Sequence, residues 1–383
     1  MIYLDNAATT WPKPACVAQA MTDYALHVGA SPGRGSHRLS LEASRIVYDA
    51  REALARLFGL PDPLRVILTA NATEALNLAV MGCLNPGDHV VTTSMEHNAL
   101  MRPLRHLESL GVLLSVVPCA SDGALDPQVL EKAMRPNTVL LAVNHASNVV
   151  GTLLPVAQIG AIARARGSLM LVDAAQTGGA YPIDMAAMNI DLLAFTGHKG
   201  LLGPQGTGGL CLGERLDPDR LQPLKRGGTG SNSELEEQPD FLPDKYEAGT
   251  LNALAIAGLG AGVRYVLEQG VARIRHHEEE LTARLLSGLS DIPRLHVYGT
   301  RDARLQTATL SFNVGDMQPS EVAERLDDEH GVLCRAGLHC APAAHRTLGT
   351  YPRGTVRFGL SYLNTSEQVN AAVEAVRSIA LGG

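Results

Sequence analysis

From about residue 65 to 213 the chain alternates short β-branched or apolar runs with longer amphipathic stretches, the pattern of a parallel sheet covered by helices. The expected strands are RVILT from Arg65, HVVTT from His89, VLLSVV from Val112, TVLLAV from Thr138, SLMLVD from Ser168, DLLAF from Asp191 and GTGGLCL from Gly206. Helix-length segments between them, such as those starting near Thr73 and Val156, are long enough for crossover connections, and Gly167 offers a C-cap for the second. A polar, Gly- and Pro-rich stretch follows over 214–244. Beyond it, helices near 253–268 and 276–289, the runs TATLSFNV, VLCR and TVRFGLS, a helix near 319–329 and a last helix from Ser366 predict a smaller α+β domain. The expected division is a large domain over 15–255 and a small one from 1–14 and 256–383. With 383 residues, 45% of them hydrophobic, the chain has ample material for both cores.

The formal charge, 32 minus 39 or −7, comes from interspersed acids and bases, which provides no concentrated basic surface for nucleic acid or anionic lipid. No apolar run reaches the roughly 18 to 20 residues that span a bilayer, and MIYLDNAATTWPKP lacks a basic region followed by a hydrophobic one. Six cysteines without a CxxC pair do not read as a disulfide framework in so long a chain. Together these predict a soluble, cytoplasmic protein.

Ligands in open α/β sheets bind beyond the carboxyl ends of the strands, and here those ends are polar. Asn71, Ala72 and Thr73 follow the first run; Glu96 and His97 the second; Asn144, His145 and Asn148 the fourth; Asp173 and Gln176 the fifth; Thr196, His198 and Lys199 the sixth. Thr73 opens a helix, where free N–H groups and the dipole favour an anion such as phosphate, although taken alone plain N-capping is the commoner use of such a residue. Neither G-x-G-x-x-G nor a P-loop is present, and GLGAG at 258–262 reads as close helix packing. Asp173 ends a hydrophobic strand and needs a cationic or hydrogen-bonding partner, a need that a protonated pyridine nitrogen meets.

Lysine is scarce: Lys13, Lys132, Lys199, Lys225 and Lys245 are the only ones. Lys13 and Lys132 read as solvated, and Lys225 and Lys245 lie in the polar connector. Lys199 alone follows a buried strand, in FTGHKGLLGPQGTGG, where small residues permit close backbone approach. A Schiff-base lysine, a strand-end Asp and a helix start suited to phosphate together describe pyridoxal phosphate. His276 and His277 before three glutamates suggest a metal, but adjacent helix residues do not share a face, so a solvated charged stretch is expected and no metal is assigned.

In this order YLDNAATT, GRGSHRLS, NATEALN, MEHNA, SNVVGT, DAAQ, TGHKGLLGPQGTGGL, YEAGT, RAGLHC and TVRFGLSYLN cover nearly the whole chain. That set resembles the class V aminotransferase family of fold-type I pyridoxal-phosphate enzymes, and within it the group II cysteine desulfurases and selenocysteine lyases. The resemblance implies an α/β fold with a seven-stranded, mainly parallel sheet plus a smaller α+β domain, in a homodimer. It implies that Lys199 bonds the cofactor, Asp173 pairs with the pyridine nitrogen, His97 stacks on the ring and Gln176 bonds the phenolic oxygen. Thr73, Thr196 and His198, with Asn71 and Ala72 beside them, match phosphate-binding positions, and Thr250 matches one supplied by the other subunit. Asn148 and Arg357 match residues that hold the substrate carboxylate; Arg34, Arg335 and His339 also fall on the substrate side.

Cys340 matches the nucleophile that accepts sulfur from L-cysteine, or selenium from L-selenocysteine, for transfer to a protein acceptor, leaving L-alanine. A buried, inert thiol is the competing reading of Cys340, and Arg335 and His339 argue against it as groups able to lower a thiol pKa. Cys334 reads as packed. Three positions depart from the family pattern: Ala72 where a hydroxyl is frequent, Lys245 where an Arg often stands, and Pro342 directly after Ala341. Rival readings are another class V transamination or β-elimination with Cys340 incidental, and a non-catalytic sulfur-transfer binding protein.

Overall fold

A computed structural model describes residues 1–382. The chain opens with strand β1 (Ile2–Tyr3) and helices α1 (Ala15–Asp23) and α2 (Arg38–Phe58). An alternating series follows: β2 (Val66–Thr69), α3 (Ala72–Cys83), β3 (His89–Thr93), α4 (Asn98–Ser109), β4 (Leu113–Val117), α5 (Pro127–Ala133), β5 (Thr138–Asn144), α6 (Val156–Ala165), β6 (Leu169–Asp173), β7 (Leu192–Thr196) and β8 (Gly208–Leu212). All seven expected strands of the large sheet form. They stand in the order β2-β8-β7-β6-β5-β3-β4, and only β8 runs antiparallel to its neighbours.

Side chains alternate across a strand, so each strand feeds two cores. Val91, Leu141, Val143, Val172 and Leu193 face one side, with Leu54 of α2 and Ile159 of α6. Val90, Leu140, Ala142, Leu171 and Ala194 face the other, with Leu76 of α3 and Leu100 of α4. Near-continuous apolar runs are what such double burial requires.

Helices α7 (Ala253–Gln269) and α8 (Val271–Ser290) lead into the second sheet, made of β9 (Leu295–Tyr298), β10 (Thr309–Val314), β12 (Arg335–Gly337) and β13 (Thr355–Gly359) in the order β12-β13-β10-β9. Helices α9 (Pro319–His330) and α11 (Ser366–Leu381) cover it with α8, around Leu285, Phe312, Val322, Phe358 and Val376. The short α10 (Pro342–Thr347) and strand β11 (Val332–Leu333) complete the chain, and β1 returns to pair in parallel with β11. We propose that residues 15–255 form the large domain, and 1–14 with 256–383 the small one. Helix α7 crosses that boundary: its Ile256, Leu259 and Val263 still pack in the large core.

GLGAG lies in α7 as a packing surface. A Cβ at Gly258 would meet Met21 at 2.7 Å and one at Gly262 the Leu201 carbonyl at 2.6 Å, so α7 lies too close to its neighbours for any side chain there. The stretch around His276 is not uniformly solvated. Helical periodicity turns Ile274, Arg275, Glu278 and Leu281 inward, while His276 stays exposed beside Glu280 and the His277 ring bonds the Asn364 carbonyl. Among the described residues no helix is long and apolar enough to cross a membrane, and no group of three His, Cys, Asp or Glu is placed to hold a metal ion.

Candidate active site

The carboxyl ends of β5, β6 and β7 lie side by side, with Asn144 opposite Asp173 and Asp173 opposite Ala194. Around them is a cavity of about 220 Å³. Asn71, Ala72, Thr73, His97, Asn148, Asp173, Gln176, Thr196, His198, Lys199, Arg335, His339 and Arg357 all line it, the last three from β12, the loop after it and β13. A larger groove, about 730 Å³, runs between α8 and edge strand β9 past Glu279, Leu286, His296 and Arg304, but it contains no lysine and no strand-end polar cluster.

Lys199 retains some accessible surface because the cavity opens onto it, yet protein surrounds it closely enough for desolvation to dominate. Burial pushes its amine down to about 8, against the charge of Asp173, which favours the ammonium form. Burial pushes the Asp173 carboxyl up, while the Ala175 N–H, 2.9 Å from Oδ1, and the Lys199 charge hold it down. His97 caps α4, its Nδ1 accepting from the Ala99 N–H at 3.0 Å. Burial, then the cations of Lys199, Arg335, Arg357 and Arg102, push its pKa down to about 4. The ring is therefore neutral near pH 7, with its proton on Nε2. Burial and the nearby Lys199 and Lys13 bring His198 to about 4 as well.

Asn71 takes the N-cap of α3, accepting from the Glu74 N–H at 2.9 Å, which leaves the exposed Thr73 hydroxyl free of that duty. Gln176 is anchored by donating to the Ala7 carbonyl at 3.0 Å. Asn148 donates to the His339 carbonyl at 2.7 Å, and Arg357 Nη1 donates to the Asn148 carbonyl at 2.9 Å, so the two expected carboxylate ligands are coupled.

Cys340 is exposed on a loop just outside the cavity lining, with Arg335 Nη2 3.9 Å from its sulfur. His339 and Cys340 both have left-handed backbones, φ +47° and +57°, which non-glycine residues adopt only when surroundings impose it. Those surroundings are visible: the Asn98 N–H donates to the Cys340 carbonyl at 2.9 Å, Asn148 holds the His339 carbonyl, and Ala341 is fully buried. Pro342 then occupies the first turn of α10, where a missing N–H is harmless. His339 does not act as a cation towards the thiol. Its buried ring bonds Thr355 at 3.2 Å, and desolvation keeps it neutral, leaving Arg335 as the nearby positive group. Burial drives the Cys334 thiol up to about 12, in keeping with a packed residue.

Besides Cys340, two expected residues lie outside this cavity. Thr250 is exposed and lines a separate hollow with Thr69, Glu74 and Lys225. Arg34 is exposed and donates to the Gly228 carbonyl at 3.0 Å. Two further contributors, Lys13 and Asp5, carry no signal of a site role in the sequence, and a third, Glu96, stands among the polar strand ends without an assigned role. Lys13, read as solvated, is half-buried and donates to the His198 carbonyl at 2.8 Å; its place between prolines hid that reach across the fold. Asp5 binds Arg357 Nη2 at 2.9 Å, although its motif, YLDNAATT, was in view. Glu96, wholly buried, accepts from Thr93 Oγ1 at 2.6 Å and from the Asn144 N–H at 2.9 Å, tying the end of β3 to β5 next to His97.

The donor set fits pyridoxal phosphate. Asn144 Oδ1, Asn148 Oδ1, His198 Nδ1 and Arg357 Nε are buried polar atoms without a protein partner, and their residues all line the cavity beside one lysine and one buried carboxyl. The aminotransferase class-V family matches residues 2–372. A probable cysteine desulfurase of Methanothermobacter thermautotrophicus is 38% identical over 99% of this chain and 94% of its own length. One from Pyrococcus abyssi is 34% identical over 96% and 92%. Among solved structures, an apo cysteine desulfurase from Thermococcus onnurineus matches with a TM-score of 0.92 at 34% identity, over 100% of this chain and 95% of that one. The Escherichia coli cysteine desulfurase CsdA matches with a TM-score of 0.86 at 27% identity, over 99% and 94%.

Proposed function

The chain belongs to the class-V aminotransferase family, and we propose that it is a pyridoxal-phosphate-dependent cysteine desulfurase that takes sulfur from L-cysteine onto Cys340 and releases L-alanine. The observation that carries this reading is the pairing of one desolvated lysine at the ends of the parallel strands with an exposed, rigidly held thiol at the mouth of the same cavity.

Lys199 would hold the cofactor's carbonyl carbon, Asp173 its ring nitrogen, His97 its ring face and Gln176 its phenolic oxygen. Thr73, Thr196 and His198 would hold its phosphate, beside Asn71 and Ala72. When bound, pyridoxal phosphate supplies an electron sink conjugated to the substrate's α-carbon. Asn148 and Arg357 hold the substrate carboxylate, with Arg335 and His339 walling the same side. Lys199, once its amine is free, moves the α-proton; a pKa near 8 suits it to both accept and return one near neutrality. The Cys340 thiolate attacks the substrate sulfur: an S–S bond forms and the C–S bond breaks, its electron pair going to the carbon that is protonated to alanine. The persulfide left on Cys340 is exposed, as delivery to a protein acceptor requires.

Homodimer formation completes the site in this reading. Thr250 and Arg34 are exposed and do not line their own cavity, and the hydrogen bonds from Arg34 and Gly249 to Gly228 bring their loops together. Leu41, Leu235 and Phe241, from chain segments flanking these loops, are large exposed apolar side chains, as expected at an interface. A reducing compartment such as the cytoplasm suits a thiol that must stay free. The test is product analysis with L-cysteine and L-selenocysteine side by side, with and without a keto acid. Alanine and sulfane sulfur from cysteine alone support the reading; alanine that appears only when pyruvate is the keto acid assigns the chain to transamination.

A further inference from the structure

Arg357, the expected ligand of the substrate carboxylate, already has a carboxylate partner. The N-terminal segment returns along the small sheet: β1 pairs with β11, Asp5 bridges Gly359, and the Asn6 N–H donates to the Gly359 carbonyl at 3.1 Å. Gly359 permits this approach, since a Cβ there would meet the Ala7 nitrogen at 2.6 Å. Asp5 is thereby set beside β13, the strand that carries Arg357, and its Oδ1 accepts from Nη2 at 2.9 Å. The arginine side chain is 2% exposed and the aspartate 23%.

A guanidinium has five coplanar N–H groups. Here Nη1 gives one to the Asn148 carbonyl, Nη2 gives one to Asp5, and the buried Nε–H has no protein partner. The fork is therefore oriented twice over, and an unused edge including Nε faces the demand for an acceptor that a ligand carboxylate meets. That carboxylate arrives at an ion pair rather than at a bare cation. We propose that Asp5 is a positioning residue that moderates this clamp: it fixes the Arg357 fork and offsets its charge, so that the amino-acid carboxylate is oriented yet able to leave. The inference rests on Arg357 binding that carboxylate. Two carboxylates sharing one guanidinium, about 6 Å apart, repel each other, and at an effective dielectric near 20 the weakening amounts to about a hundredfold in affinity.

The sign separates this role from a merely structural one. Asp5→Asn keeps an acceptor for Nη2 and removes the charge. In the holoenzyme it should bind L-alanine about a hundredfold tighter by calorimetry and by the shift of the cofactor spectrum, with a lower KM for cysteine and a kcat that does not rise. Asp5→Ala, which loses the tether as well, should bind L-alanine more weakly than Asp5→Asn. A purely structural Asp5 would instead weaken binding in both variants. Arg357→Gln serves as the control on the underlying reading: if it binds L-alanine like the wild type, the carboxylate assignment itself fails. If Arg357→Gln loses binding while Asp5→Asn binds L-alanine no tighter than the wild type, the role of Asp5 is overturned and that of Arg357 stands.

Discussion

Lys199 should capture pyridoxal phosphate at neutral pH far faster than an ordinary lysine, because the reacting species is the neutral amine. With its pKa near 8 instead of the usual 10.5, about one amine in ten is neutral at pH 7 against about one in three thousand, roughly a 300-fold gain in nucleophile. The sign follows from desolvation, which disfavours the ammonium form, so capture should accelerate as pH rises through about 8 and level off above it. Asp173 opposes this shift, so Asp173→Asn should move the midpoint lower still. The assay mixes apoprotein with cofactor over about pH 6 to about pH 10, follows the absorbance of the linkage and traps it with borohydride, with a simple alkylamine as reference for the aldehyde's own titration. A midpoint near 10.5, or one that rises in Asp173→Asn, refutes the reasoning. Peptide mapping that finds the reduced adduct on Lys225 or Lys245 refutes the assignment.

Cys340→Ala should slow alanine formation from cysteine by about a hundredfold or more while sparing much of the selenocysteine reaction, since a selenol leaves carbon more readily; cofactor absorbance should stay unchanged. A wild-type rate from cysteine in the loaded variant would favour simple elimination. Mixing Lys199→Ala chains with Thr250→Ala chains should restore activity in some dimers through one repaired site, whereas a fully active monomer by light scattering sinks the shared-site reading. Arg51 and Glu247, each 5% exposed and paired through both terminal guanidinium nitrogens, anchor the YEAGT segment to β2, because Glu247 also accepts from the Leu68 N–H at 2.6 Å. Glu247→Gln should therefore lower stability by about 3 kcal/mol or more in denaturant titrations, and a loss below about 1 kcal/mol would contradict a buried, mutually dependent pair.

The large sheet was legible because double burial writes itself into a sequence as apolar runs. Val90 and Val91 serve opposite cores, as do Leu171 and Val172, and in β6 no polar residue interrupts the run until Asp173 at its end. That ending is itself the signal for the site: Asn144, Asp173 and Thr196 are the last residues of three adjacent strands. The small sheet was less legible. Strand β9, at the sheet edge and only partly buried, mixes His296 with Val297 and carries no clean period, and the two-residue β1 is too short to have one.

What stayed hidden shares one physical cause, contact between segments that local pattern cannot join. Asp5 and Arg357 are 352 positions apart and meet only because β1 pairs with β11 and Asp5 bridges Gly359 of β13. Lys13 reaches the His198 carbonyl across 185 positions, so a lysine between two prolines looks solvated until the fold closes. The Cys340 loop is hidden differently. Two consecutive left-handed residues normally announce themselves through glycine or asparagine, yet His339 and Cys340 are neither, and their conformation is imposed by Asn98, Asn148 and the buried Ala341. Local preference and global structure disagree at the residue proposed as nucleophile, which is where strain held by the rest of the fold is most useful: it fixes an exposed thiol at one approach to the cavity without burying it.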